Sequence, residues 1–100
     1  MSRYIFGVYV EGDLRDIRDH IALDSPASAR RMMIRFVKAF RLLAKHPGLG
    51  HVREDLLETD IRFWPVGAYL ILYSAAKGPI EILAMIHGAR DVPAFVNRRA

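Results

Sequence analysis

The segment from Ser25 to Gly48 constrains this chain more than any other. Serine is a strong N-cap, and Pro26 suits the first helical position, where its missing N–H would be unpaired anyway. His46-Pro47-Gly48 stops the helix so opened at about Lys45. At ~100° per residue, Ala29, Met32, Met33, Phe36, Val37, Phe40, Leu43 and Ala44 cluster on one half of its wheel. Arg30, Arg31, Arg35, Lys38, Arg41 and Lys45 fall on the other half, within an arc of about 140°. Ile34 and Leu42 land among those cations. A long helix with one apolar face must bury it against a second layer, so this chain needs a sheet or further helices.

The flanking residues supply both. Residues 3 to 10 alternate as a strand, with Tyr4, Phe6, Val8 and Val10 on one side. Glu11-Gly12 breaks the run, and Asp13 is placed to cap a helix carrying Leu14, Ile17 and Ile21 at helical spacing. After the long helix, residues 46 to 59 read as a loop with a short turn at Glu54 to Leu57. Three strands follow: Asp60 to Val66, Tyr69 to Ser74 after a Gly67-Ala68 turn, and Ile80 to His87 after Lys77-Gly78-Pro79. Residues 91 to 96 form a short terminal helix or turn. The expected fold is α+β, in the order β-α-α-β-β-β with a short C-terminal element. Its helical hairpin packs on one face of a mostly antiparallel sheet.

One hundred residues make a single domain. With 52% hydrophobic and 26% charged residues, the chain has enough apolar material for a core. Zero cysteines exclude disulfides, thiolate chemistry and a Cys-based zinc site. No signal-peptide pattern opens the chain and no stretch nears ~20 uninterrupted apolar residues, so a cytoplasmic protein without a membrane span is expected. The formal charge of +4 favours an acidic partner, either nucleic acid or protein.

Five sequence words carry a resemblance. They are Asp13-Leu14-Arg15-Asp16-Ile17, Ser25-Pro26-Ala27-Ser28-Ala29, and Leu43-Ala44-Lys45-His46-Pro47-Gly48-Leu49-Gly50. Then come Arg62 with Val66-Gly67-Ala68-Tyr69-Leu70-Ile71-Leu72-Tyr73, and Ile86-His87-Gly88-Ala89-Arg90-Asp91. In this order, over roughly residues 4 to 96, the chain resembles the RelE/ParE toxin superfamily, closest to the ParE (plasmid-stabilisation) branch. The resemblance implies a bacterial type II toxin, neutralised by a cognate antitoxin in a hetero-oligomer and working without a cofactor. ParE-like members poison DNA gyrase without being enzymes; RelE-like members cleave mRNA on the ribosome.

Cutting RNA at its 2′-hydroxyl needs a base, cations on the phosphate and an acid for the leaving oxygen. The set available for that alternative is Arg62, His87 and Arg90, with His87 as base. Against it, Phe95 stands where the RelE pattern has a tyrosine, and the Tyr69-to-Ser74 strand carries no cation. The gyrase reading is therefore preferred, with Arg62, Trp64, Arg90, Asp91 and Phe95 as target-binding candidates. Ile34, Arg35, Lys38 and Leu42 are the antitoxin-binding candidates, because exposed apolar groups amid charge mark interfaces. No metal site is expected.

Each residue also has a plain structural explanation. Arg90 and Asp91 would brace the terminal turn as an ion pair, Arg62 would be a solvated strand residue, and His87 a hydrogen-bonded structural histidine. Trp64 would pack on a sheet face, and the basic stripe would be only a solvated surface. A non-toxic nucleic-acid-binding module is the second alternative; the charge permits it, but no base-reading motif is present.

Overall fold

Alternation of apolar side chains builds the sheet from the strands most strongly patterned in the sequence. The computed structural model describes residues 3–52, 60–75 and 78–99. Strand β1 (Tyr4–Phe6) is followed by helices α1 (Val10–Ala22) and α2 (Pro26–Lys45). Strands β2 (His51–Val52), β3 (Ile61–Val66), β4 (Tyr69–Ser74) and β5 (Ile80–His87) come next, then helix α3 (Val92–Arg99). The five strands form one sheet in the order β1-β5-β4-β3-β2. Only β1 and β5 run parallel; every other neighbouring pair is antiparallel. The architecture is α+β, with helices packed on a mostly antiparallel sheet.

Helix α2 forms as its end signals require. Ser25 is extended and its hydroxyl accepts from the Ser28 amide at 3.1 Å, with Pro26 at the first position. Ala29, Phe36, Phe40 and Leu43 are buried, whereas all six cations of its other face are exposed. Ile34 and Leu42 stay 56% and 40% exposed, as their place on the wheel requires. Val37, assigned by the wheel to the apolar stripe, sits at the margin and is exposed; Ala39 is buried instead.

Two apolar layers use alternate residues of β4. Tyr69, Ile71 and Tyr73 face the α1/α2 hairpin with Phe36, Phe40, Leu43 and Val10, and Leu72 faces Ile61, Val92 and Phe95 on the other side. Helix α3 thus packs on the face opposite the hairpin. The register shift at Leu72/Tyr73 leaves Leu83 without a direct partner, so the phase of β5 changes there. Ile80 and Ile82 belong to the hairpin layer before it, and Met85 does after it.

The N-terminal strand is shorter than the alternation predicts. It ends at Phe6, Gly7 donates to Ile82 O at 2.7 Å, and the chain turns through Val8 and Tyr9. Val10 then enters the core as the first residue of α1, fully buried. Tertiary burial of Val10 outweighs the β-branched local preference that extended the strand on paper. Asp13 consequently lies inside the helix, not at its cap. Strand β2, absent from the sequence reading, is two residues long and exists through its pairing with β3. The terminal element is a helix reaching Arg99, longer than expected. The turn expected at Glu54 to Leu57, and Lys77 of the second hairpin, lie outside the described residues.

Candidate functional site

Strand β1 pairs with β5 only as far as Ile82, which leaves the next part of the β5 edge open. A buried N–H at such an edge must find another acceptor. Asp13 supplies it: its Oδ2 accepts from the Met85 amide at 3.0 Å. The carboxylate, only 7% exposed, also accepts from Arg99 Nη1 at 2.9 Å and Nη2 at 2.6 Å. The Arg99 guanidinium lies 4.4 Å from the Tyr9 ring centroid and 4.1 Å from that of Phe95. Hydrogen bonds to Asp13 raise the Arg99 pKa above its ordinary value, outweighing the opposing effect of burial. The end of α3 is thereby fastened to the start of α1 around the sheet edge.

Beside this fastening opens a cleft of about 580 Å³ that includes Asp16, His20, Tyr69, His87, Arg90 and Phe95 in its walls. Three of the residues singled out in the sequence therefore meet here: His87, Arg90 and Phe95. The His87 ring packs edge-on against Tyr69, and its Nδ1 accepts from the Ala89 amide at 3.1 Å. Arg90 is exposed, with its guanidinium 5.4 Å from the Phe95 centroid. Phe95 itself is 9% exposed and belongs to the core under α3, so cations overlie it. Asp91 caps α3 by accepting from the Ala94 amide at 3.2 Å. Among the described residues it forms no ion pair with Arg90, so the expected brace of the terminal turn is a helix cap instead.

Arg62 and Trp64 lie elsewhere. Arg62 donates through Nη1 to Gly50 O at 2.9 Å and to Gly48 O at 3.4 Å. Tyr73, its cross-strand partner, donates to Pro47 O at 2.7 Å and accepts from the buried Gly50 amide at 2.8 Å. Together these side chains clasp the loop that leaves α2 onto the sheet. A Cβ at Gly50 would overlap the Tyr73 hydroxyl, which accounts for a glycine there. Burial raises the Tyr73 pKa above its ordinary value of 10.0, against the lowering effects of the Gly50 N–H and the Arg62 charge. Trp64 is half-buried against the hairpin core and stacks on His51 with an interplanar angle of 13°.

The four antitoxin candidates remain together on the outer face of α2, all exposed. Arg35 also reaches the β3–β4 hairpin, near Gly67, whose φ of +58° suits glycine. Asp13, Arg99 and the Tyr73 clasp were not read from the sequence. Asp13 and Arg99 are 86 residues apart, and an acid in a first helical turn has a sufficient local explanation. Among the described residues, no group of three or more His, Asp or Glu side chains is placed to hold a metal ion. No described helix is long and apolar enough to cross a membrane.

Comparison with known proteins agrees with this architecture. The chain is 36% identical over 90 residues to Toxin RelE2 of Caulobacter vibrioides, covering 90% of this chain and 99% of the relative. A solved structure of the chromosomal ParDE TA system from P. aeruginosa superposes with a TM-score of 0.71 at 19% identity. That match covers 87% of this chain and 96% of the other, and it concerns the fold. The model of the family described as "ParE toxin of type II toxin-antitoxin system, parDE" matches residues 4–92, so the chain belongs to the ParE family of type II toxins.

Proposed function

We propose that this toxin acts by binding DNA gyrase and trapping it, and that a cognate antitoxin neutralises it by forming a hetero-oligomer. The gyrase target is what the resemblance to the ParE branch implies, and the family match over residues 4–92 supports it. The observation that supports binding over cutting is that the ribonuclease set does not come together whole: His87 and Arg90 share the cleft, but Arg62 lies apart from them. Arg62 pairs with Tyr73, whereas His87 pairs with Tyr69, on the far side of β4 and four residues along it. At strand spacings this separates their backbones by about 13 Å along the sheet and about 10 Å across it. A phosphate held by one is out of reach of a proton transfer at the other, which needs about 3 Å. Arg62 is already committed to two loop carbonyls, and Phe95 has no proton to give.

Arg90 is the member of the target-binding set best suited to meet a partner, being exposed above the buried Phe95. Trp64 and Arg62 support this reading less, because both have structural partners. Two assays test the proposal side by side: supercoiling of relaxed plasmid by gyrase, and cleavage of a translated mRNA on ribosomes. Inhibited supercoiling with intact mRNA is expected, weakened by Arg90→Ala and unaffected by His87→Ala. Cut mRNA with unaffected gyrase would replace the proposal with the RelE-type alternative, in keeping with the name of the Caulobacter relative.

A further inference from the structure

Strand β5 carries an edge that the fold leaves half used. Beyond Ile82, where β1 stops, Met85 turns its N–H outward to Asp13. In an antiparallel ladder the N–H and C=O of one residue point to the same side, and that side alternates along the strand. The Met85 carbonyl and both main-chain groups of His87 therefore face outward as well. The Gly88 amide, which donates inward to Ala68 O at 2.8 Å, keeps the same alternation. The His87 carbonyl is taken by the Arg90 amide at 3.0 Å. That leaves the Met85 carbonyl and the His87 N–H, two residues apart on the outward edge, with no partner there among the described residues.

The cleft of about 580 Å³ lies over this edge, with Met85, Ile86 and His87 in its walls. Asp16 of α1 lines it on the hairpin side, and Arg90, beside Phe95, lines it on the α3 side. Both are exposed, and among the described residues neither forms an ion pair.

We infer that the open edge of β5 is a slot for an extended peptide segment that runs parallel to β5, as β1 does, and carries a basic residue next to an acidic one. One residue of that segment donates its N–H to the Met85 carbonyl and accepts the His87 N–H through its own carbonyl. Successive side chains of a strand point to opposite faces, so adjacent residues meet Asp16 on one side and Arg90 on the other. Edge pairing of this kind draws affinity from main-chain hydrogen bonds and specificity from the side chains. A nucleic acid fits less well, because its phosphates would meet Asp16 as like charges. The segment belongs to gyrase, an assignment that rests on the reading of gyrase as the target. His87 then serves through its amide, and its ring is dispensable.

Hydrogen exchange resolved to single amides, on the full chain with and without purified gyrase, tests the slot. The His87 amide is expected to exchange at least about tenfold more slowly in the complex, whereas the amides of β2, at the opposite edge of the sheet, keep their free rates. Asp16→Lys is expected to weaken gyrase binding at least about tenfold by setting like charges together. Asp16→Asn, a smaller change beside Arg99, replaces it if circular dichroism shows an early melt. His87→Ala keeps the main-chain N–H and leaves binding unchanged. Placing the α-hydroxy acid of histidine at position 87 removes that N–H and weakens binding without lowering the melting midpoint. Gyrase bound with the His87 amide exchanging at its free rate would overturn the inference and leave the gyrase proposal standing. Protection of that amide only by the antitoxin, or only by a short DNA duplex, would also overturn it. If the chain leaves gyrase untouched, that proposal falls, and a capped extended peptide with adjacent lysine and glutamate decides the slot. At about millimolar concentration it protects the His87 amide, or the slot is refuted.

Discussion

Replacing Asp13 with Asn isolates the charge that fastens α3 to α1. The side chain keeps its size and one carbonyl oxygen, so the Met85 N–H retains an acceptor. What disappears is the ion pair with Arg99. Breaking one side of a fully buried pair costs about 3–5 kcal/mol, because the other charge is left without compensation. Here Asp13 is 7% exposed but the Arg99 side chain is 25% exposed, so its guanidinium can regain part of its hydration. The Tyr9 and Phe95 rings also continue to hold it. About 2 kcal/mol is therefore the expected loss. For a domain of this size 1 kcal/mol moves Tm by roughly 4–8 °C, which places the Asp13→Asn midpoint about 8–16 °C below wild type. Asp13→Ala goes further, since it also strands the buried Met85 N–H at a cost of about 1–3 kcal/mol. Thermal melts and urea titrations measure both, and a double-mutant cycle with Arg99→Gln isolates the pair. Hydrogen exchange reports whether the α3 amides open first. A midpoint within ~2 °C of wild type would refute the fastening, since even 1 kcal/mol predicts a larger shift.

The loop clasp and the helix cap give two further predictions. Tyr73→Phe leaves the buried Gly50 N–H without its acceptor and should cost about 2 kcal/mol in a urea titration at neutral pH. Because burial raises the Tyr73 pKa in the folded chain, its neutral hydroxyl contributes stability that is full below pH 10 and is lost as pH rises through the folded value. The gap between wild type and Tyr73→Phe should accordingly narrow in strongly alkaline urea titrations, whereas a constant gap would contradict the sign. Ser25→Ala removes the acceptor of the Ser28 amide and should destabilise by about 1 kcal/mol, seen as a lower urea midpoint with an unchanged slope.

Those parts of the fold were legible where local signals and burial agreed. Ser25-Pro26 and His46-Pro47-Gly48 bound α2 because a cap, a proline and a helix stop act within one turn of the chain. The last three strands were legible because each is a run rich in apolar residues closed by a turn residue, Gly67 and Gly78 among them, both at positive φ. Residues 8 to 10 misled for the opposite reason. Val8, Tyr9 and Val10 prefer strands, but β1 pairs with β5 over three residues only, and Val10 is fully buried at the start of α1. Strand β2 has no pattern of its own in two residues; β3 creates it.

Of the residues singled out, His87, Arg90 and Phe95 line one cleft because β5 and α3 are neighbours in sequence and a short turn keeps them close. Arg62 was assigned to the same surface through the family pattern, yet four residues of register and two strands of sheet part it from His87. Register is a property of the paired strands, so no inspection of β3 alone reveals it. The same holds for Asp13. Its carboxylate has two local explanations, a cap and a first-turn acid, and either suffices on paper. The need it meets arises elsewhere: β1 is too short to cover β5, so Met85 presents a buried N–H, and an acceptor there acquires a negative charge that Arg99 must balance. Each step follows from the one before, but the first is a mismatch in strand length that only the assembled sheet contains. The exposed cations of α2 present the reverse case. They are legible one by one, because the helical period alone sets the face they take.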